Sequence, residues 1–156
     1  MYRLVTVIGP AGIGKTAVAL KVAEDLIPAY EHGVWLVDFA PISDPALVPT
    51  ALASALNFPI RSGNPMSDLT VTLQDKRMML LFDNCEHLIE AAAGLAVELI
   101  CRARDVYILA TSREACLPDY ADCASGISQS AASDDVHLPI ELGQETRRSF
   151  RLQRRS

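Results

Sequence analysis

Eight consecutive residues near the start of the chain combine three glycines, a lysine and a hydroxyl in the pattern G-x-x-x-x-G-K-T, from Gly9 to Thr16. Glycines adopt backbone conformations that other residues avoid, so the N–H groups of such a loop can turn inward around an anion at the start of a helix. The lysine would reach the terminal phosphates of a nucleotide, and the Thr16 hydroxyl would be placed to ligate Mg²⁺. The alternative is a glycine-rich turn with an exposed lysine. The residues predicted to contact the nucleotide are Gly9, Gly12, Ile13, Gly14, Lys15, Thr16 and Ala17.

A second group that could do chemistry stands where the apolar run 78–82 ends on Asp83 and Asn84. An acid at the carboxyl end of a parallel strand could hold the water shell of Mg²⁺ opposite Thr16, which predicts a metal-binding and catalytic role for Asp83. In the alternative interpretation, Asp83 caps the next helix and Glu86 completes a capping box.

Two further charged residues are candidates for catalysis. Glu86 is the nearest acid that could polarise an attacking water, or else it is a first-turn carboxylate that stabilises a helix dipole, and both interpretations stay open. Arg113 follows the apolar run 106–110 and would lie at the same sheet edge as Asp83, where its planar fork could bind γ-phosphate oxygens. The alternative is a surface arginine at a strand end.

These residues are positioned by apolar runs that alternate with helical segments. The runs predict strands at 4–8, 34–37, 78–82 and 106–110, and the helical period predicts helices at 17–26, 45–56, 68–76 and 86–103. Asp44 before Pro45 is a helix start, and Ser67 is the expected cap of the third helix. Strands without polar alternation are typical of parallel sheets covered on both faces. We therefore expect an α/β fold, a P-loop NTPase three-layer sandwich with a mainly parallel sheet and ligands at its carboxyl edge.

Length and charge limit the classes of protein that fit. The 156 residues suffice for one domain, and the net charge of −5 argues against a protein whose main ligand is nucleic acid or an anionic membrane. The start of the chain leaves no room for a signal peptide, and no apolar run approaches membrane-spanning length, so we expect a cytoplasmic protein without membrane or direct DNA contact. No C-x-x-C pair occurs, so buried thiols are expected rather than a zinc site or a disulfide framework. The cysteines are Cys85, Cys101, Cys116 and Cys123.

The sequence changes character near residue 119. We expect a core over residues 1–118 and an irregular tail over 119–156, because Ala, Ser and Asp dominate up to residue 135 without helical or strand periodicity. The segment 136–140 could add a fifth strand, although Pro139 suits only an edge position. The basic residues of 147–155 indicate either nucleic-acid contact or a solvated terminus, and the acidic chain favours the second.

Three segments together resemble a known family. They are the loop Gly9–Thr16, the run Leu-Leu-Phe-Asp-Asn-Cys-Glu-His-Leu at 80–88, and Ala-Thr-Ser-Arg-Glu at 110–114. From Arg3 to about Pro118 the chain is similar to the signal-transduction ATPases of the STAND/NB-ARC class, as in bacterial LuxR-type and SARP-type transcriptional regulators. Members of this class continue into further helical and winged-helix segments, so the chain is expected to be a fragment.

The resemblance implies a role for four of these residues. Lys15 and Thr16 would bind phosphate and Mg²⁺, Asp83 would serve the metal, and Arg113 would sense the nucleotide. Proteins of the class act as switches that ADP holds closed and that ATP opens for assembly or DNA-linked output.

Three functions are compatible with the whole pattern. The first is an ATP/ADP-binding regulatory switch with at most weak hydrolysis, with Mg²⁺ as cofactor and with self-association or regulatory domains as its partners. The second is a small P-loop phosphotransferase, which would need a substrate lid with additional arginines. The third is a degenerate scaffold that no longer hydrolyses nucleotide. We expect the first.

Overall fold

In residues 3–113, which the computed structural model describes, four strands alternate with helices along the chain. The strands are β1 (Leu4–Ile8), β2 (Val34–Asp38), β3 (Met78–Asp83) and β4 (Val106–Ser112). The helices are α1 (Lys15–Leu26), α2 (Val48–Ala55), α3 (Pro65–Leu73) and α4 (Ile89–Arg102). Short 3₁₀ turns lie at Ile27–Ala29, Pro45–Leu47 and Cys85–His87.

The expected parallel sheet is confirmed. Its strands lie in the order β1-β4-β3-β2, and all three neighbouring pairs run parallel. β4 therefore separates β1 from β3, while β2 lies beside β3 with Asp38 opposite Asp83 in the register. The carboxyl ends of the four strands consequently meet at one edge, and ligands of open parallel sheets bind at that edge.

Helices cover both faces of the sheet, so the three-layer α/β arrangement is also confirmed. On one face α1 packs through Ala19 and Ala23 against Met79, Leu81 and Leu109. On the other face α2, α3 and α4 enclose the larger core, which includes Leu52, Leu69, Leu80, Phe82, Leu95 and Leu99. Every residue of β3 is buried because its alternate side chains enter the two cores in turn.

The start of α3 differs from the expectation. Asn64, not Ser67, is the cap, since the Asn64 side-chain oxygen accepts the Ser67 N–H at 3.2 Å and Pro65 opens the helix. The second helical segment begins as expected, because the Asp44 carboxylate accepts the Ala46 N–H at 2.9 Å. Both starts place a short polar side chain directly before a proline.

The start of α4 also differs. The helix was expected from Glu86 but begins at Ile89. Asn84 takes a left-handed backbone conformation with φ 60°, and Cys85–His87 then form a separate 3₁₀ turn. Glu86 in this turn pairs with Arg113 after β4, and Asn84 before the turn contacts Asp38 at the end of β2, so the turn is joined to the edge of the sheet.

The cysteines divide into two kinds of environment. Cys85 is buried, as expected, and its thiol donates to the Phe82 carbonyl oxygen at 3.7 Å. Cys101 is exposed, so the expectation of a buried thiol is wrong for it. The preceding residues of α4 enter the core, which leaves Cys101 on the outer side of the helix. Cys116 and Cys123, the segment 136–140 and the tail 119–156 lie outside the described residues.

Arg3 ties the start of β1 to the end of α4. Its guanidinium donates to the carbonyl oxygens of Ile100 at 2.8 Å, Ala103 at 2.9 Å and Arg104 at 3.1 Å. Carbonyl groups at the end of a helix lack intrahelical partners and carry the negative end of its dipole, so a cation there is favourable.

We expect Arg3→Ala to lower the free energy of unfolding by about 1–3 kcal/mol, because it removes several hydrogen bonds to a charged group in a partly buried place. Urea unfolding measures this change. Arg102→Ala is the control, since it breaks only an exposed ion pair with Glu98 that is worth about 0.3–0.5 kcal/mol. Equal losses of unfolding free energy in the two variants would show that the Arg3 bonds to the end of α4 do not stabilise the fold.

Candidate nucleotide-binding site

The loop between β1 and α1 has the backbone that its glycines predict. Gly12 and Gly14 have φ values of 79° and 94°, a region that L side chains avoid. A Cβ atom on Gly9 would lie only 3.2 Å from the Cγ2 atom of Ile13, which is itself exposed. The Gly9 N–H donates to the Ser112 carbonyl oxygen at 3.3 Å, which joins the loop to the end of β4.

Lys15 opens α1 and places its charge on the loop. Its amine donates to the Pro10 carbonyl oxygen at 3.0 Å, and within residues 3–113 no carboxylate lies at ion-pair distance from it. The first turn of α1 contains no acidic side chain, and Ala17 in that turn is exposed. Because the first N–H groups of a helix lack intrahelical acceptors, this end presents uncompensated positive charge, which fits a polyphosphate.

Asp83 joins the loop to the end of β3. The residue is 5% exposed, and its Oδ1 atom accepts the hydroxyl of Thr16 at 2.8 Å and the hydroxyl of Thr111 at the end of β4. The structure thus brings Thr16 and Asp83 together at the carboxyl edge of the sheet. The alternative in which Asp83 caps the next helix is wrong, because α4 starts only at Ile89 and has no side-chain cap.

Three more polar residues lie around Asp83, and the sequence patterns predict no role for them: Asp38, Asn84 and Thr111. The Asn84 amide nitrogen donates to Asp38 Oδ1 at 2.9 Å and lies 3.5 Å from Asp83 Oδ2. The Asn84 N–H donates to the Thr111 hydroxyl at 3.3 Å. One signal in the sequence could have found all three, since each lies one or two residues after an apolar run and therefore at the same edge of the sheet.

Glu86 and Arg113 contact each other at this edge. The Arg113 Nε atom lies 3.1 Å from Glu86 Oε1, with the two side chains 57% and 26% exposed, respectively. Glu86 belongs to the 3₁₀ turn, so it is not a first-turn residue of α4. Its carboxylate is paired with Arg113, which follows β4. Neither predicted role of Glu86, activation of water or stabilisation of a helix dipole, includes this ion pair.

The donor set at this edge suits magnesium held together with phosphates. In the described part of the chain, no cluster of three or more His, Cys, Asp or Glu side chains could hold a metal by itself. Mg²⁺ is typically bound through one or two carboxylates, with waters and substrate phosphates as its other ligands. The buried Asp83 carboxylate and the Thr16 hydroxyl, which already contact each other, are a set of this kind.

Comparisons with known proteins find relatives in mycobacteria. No protein-family model matches the chain. Over 113 residues the chain is 40% identical to Rv0890c of Mycobacterium tuberculosis, whose name describes a candidate HTH-type transcriptional regulator; the match covers 72% of this chain and 13% of the relative. The uncharacterised M. tuberculosis protein Rv0894 is 35% identical over 114 residues, which is 72% of this chain and 29% of that protein. The chain therefore spans less than a third of the length of either relative.

Solved structures show the class of fold. Cdc6p from Pyrobaculum aerophilum matches with a TM-score of 0.57 at 17% identity, over 73% of this chain and 33% of that chain. PCH-2 from C. elegans matches with a TM-score of 0.46 at 22% identity, over 80% of this chain and 34% of that chain. On the first of these likenesses, the chain has the α/β fold of the P-loop ATPases.

Within residues 3–113, no helix has the length and apolar character needed to cross a membrane.

Proposed function

We propose that the chain is an ATP/ADP-binding switch module of the STAND/NB-ARC class, with at most weak ATP hydrolysis, and that it belongs to a cytoplasmic transcriptional regulator. The observation that carries the proposal is the contact between Thr16 and the buried Asp83, which joins the phosphate loop after β1 to a carboxylate at the end of β3. The name of Rv0890c supports the regulatory context. DNA contact and partner regulatory domains would then belong to other parts of such a protein.

All of the predicted site residues except Ala17 have a role in this proposal. The loop N–H groups of 9–14 and the Lys15 amine bind the phosphates, while Thr16 and Asp83 hold Mg²⁺. The ion, when bound, neutralises charge on the phosphate oxygens. Arg113 senses the γ-phosphate, and Glu86 orients or deprotonates water only after it has left Arg113.

The ion pair between Glu86 and Arg113 provides two states for the switch. In one state the guanidinium contacts the Glu86 carboxylate, as described above. In the other it contacts the γ-phosphate of ATP, which ADP lacks, so only ATP competes for it. In the first state the Glu86 carboxylate is bound to the arginine, so it can activate water only in the second state.

A switch requires that ATP and ADP affect the protein differently. We expect hydrogen exchange of the segments around 84–87 and 111–113 to differ between the ATP-bound and ADP-bound protein. With γ-labelled ATP, slow release of inorganic phosphate is expected and transfer to protein or small-molecule acceptors is not. Identical exchange with both nucleotides would contradict the switch, and a labelled acceptor would favour the phosphotransferase.

We expect Glu86→Gln to raise the affinity for ATP by up to about fivefold and to leave that for ADP unchanged. An ion pair this exposed is worth about 0–1 kcal/mol, and that amount becomes available to the contact between Arg113 and the γ-phosphate. Calorimetric titration measures both affinities. Glu90→Gln, an exposed acid in the first turn of α4, is the control. Equal changes for ATP and ADP would show that Arg113 does not sense the γ-phosphate.

A further inference from the structure

The Asn84 side chain bridges two carboxylates on neighbouring strands. Its amide nitrogen donates to Asp38 Oδ1 at 2.9 Å and lies 3.5 Å from Asp83 Oδ2. Because β2 and β3 are parallel and Asp38 is opposite Asp83 in their register, the two acids end adjacent strands side by side. Like charges at such positions repel each other, and an NH₂ group between them supplies a donor to both.

The backbone of Asn84 is shaped for this contact. Its φ of 60° lies in the left-handed region, which asparagine tolerates better than most residues. This conformation ends β3 and turns the side chain towards β2, while the Asn84 N–H remains bonded to the Thr111 hydroxyl. The orientation of the amide follows from its neighbours, since two carboxylate oxygens can be bridged only by the NH₂ group.

The two oxygens of Asp83 have different surroundings. Oδ1 accepts hydroxyls from Thr16 and Thr111, whereas Oδ2 lies beside the Asn84 amide. The amide is in turn held by Asp38, whose own carboxylate accepts the Ala40 N–H at 2.9 Å. A chain of contacts therefore runs from the loop after β2, through Asn84, to the carboxylate proposed to serve the metal.

From this chain of contacts we infer that Asp38 and Asn84 are positioning residues, which fix the Asp83 carboxylate in the orientation that Mg²⁺ bound with nucleotide requires. The inference rests on the proposed function. Residues that orient a metal-binding carboxylate without touching the metal contribute about 10–100-fold to metal affinity in known sites. The lower end of that range applies here, because Asp38 is exposed and Asn84 is half-buried.

The test measures how strongly Mg²⁺ improves ATP binding. For each variant, calorimetry gives the dissociation constant of ATP in EDTA and in excess Mg²⁺. We call the EDTA value divided by the Mg²⁺ value the magnesium factor. We expect Asp38→Ala and Asn84→Gly to lower this factor about tenfold relative to the wild type, with ATP affinity in EDTA unchanged within about twofold. Glycine suits the left-handed backbone at position 84, so its effect reports the lost amide and not strain.

Two further variants separate positioning from charge. Asp38→Asn removes the negative charge but keeps an oxygen that can accept the Asn84 amide, so it should retain the wild-type magnesium factor. Asp44→Ala removes a carboxylate from the same loop, where it caps the Pro45–Leu47 turn, and should also retain the factor.

Three outcomes would overturn the inference. A wild-type magnesium factor in Asp38→Ala would show that the bridge does not orient Asp83. A loss in Asp38→Asn equal to that in Asp38→Ala would show that Asp38 acts through its charge. Absence of magnesium-dependent binding in the wild type itself would refute the proposed function and the inference together, and it is recognised in the same experiment.

Discussion

Lys15→Ala should weaken the binding of ATP and of ADP by roughly 10²-fold. The lysine amine belongs to the first residue of α1 and donates to the Pro10 carbonyl oxygen. Within residues 3–113 it makes no ion pair that would have to break before it turned to a phosphate. Two hydrogen bonds from a charged amine, at about 1.5 kcal/mol each, amount to about 3 kcal/mol, which corresponds to roughly 10²-fold in the dissociation constant. Calorimetric titration with each nucleotide measures the change.

The control for this prediction lies on the same helix. Lys21 pairs with Asp25 at 2.9 Å and faces solvent, so Lys21→Ala removes the same charge from α1 away from the loop. The affinities of the Lys21→Ala variant for ATP and ADP should stay within about twofold of the wild-type values, since exposed charges at a distance are screened. If both variants lost affinity equally, general attraction by the charge of α1 would explain binding, and the specific role of Lys15 would be wrong.

Asp83→Asn should remove most of the dependence of ATP binding on Mg²⁺. The change replaces a buried carboxylate by a neutral group of the same shape, and asparagine still offers an oxygen to the Thr16 and Thr111 hydroxyls. The variant should therefore fold. Two unit charges about 4 Å apart interact by about 4 kcal/mol at an effective dielectric constant of about 20, so losing even part of this attraction lowers metal-assisted affinity at least about tenfold.

A matched acid at the opposite sheet edge controls for net charge. Asp105 precedes β4 in an exposed turn, so Asp105→Asn makes the same change in charge far from the loop. ATP affinity should be measured for both variants with Mg²⁺ and with EDTA, alongside their urea unfolding curves. An unchanged magnesium dependence in a folded Asp83→Asn protein would refute the role of Asp83.

The sheet and the position of the glycine loop at the same edge as Asp83 could be predicted because both depend on strong local patterns. Apolar runs without polar alternation indicate buried parallel strands, and parallel strands deliver the residues that follow them to a common edge. The glycine loop and Asp83 each follow such a run. Their meeting at one edge is therefore a consequence of fold class, whereas the contact between Thr16 and Asp83 also requires that only β4 lies between β1 and β3.

The surroundings of Asp83 could not be predicted in the same way. Which side chains touch it depends on β4 lying between β1 and β3, and on β2 lying beside β3. That order brings Thr111 and Asp38 to the carboxylate, and no local pattern contains it. The pairing of Glu86 with Arg113 depends on the same order, since one residue follows β3 and the other follows β4.

The two misplaced helix starts have different causes. The start of α4 was misjudged because Asn84 leaves the strand in a left-handed conformation that is stabilised by contacts to Asp38 and Thr111, which are distant in sequence. The start of α3 had a local signal, because Asn64 before Pro65 is the same pattern as Asp44 before Pro45. Only the start of α4 therefore depends on contacts between residues that are distant in sequence.

We expect the carboxyl edge of this sheet to bind a magnesium nucleotide. Calorimetric titration of the wild-type chain with ATP and ADP, each in excess Mg²⁺ and in EDTA, tests it most directly. The expected result is a single site with a dissociation constant in the micromolar range for both nucleotides, and tighter binding with Mg²⁺. Absence of binding to a chain that unfolds cooperatively in urea would contradict it.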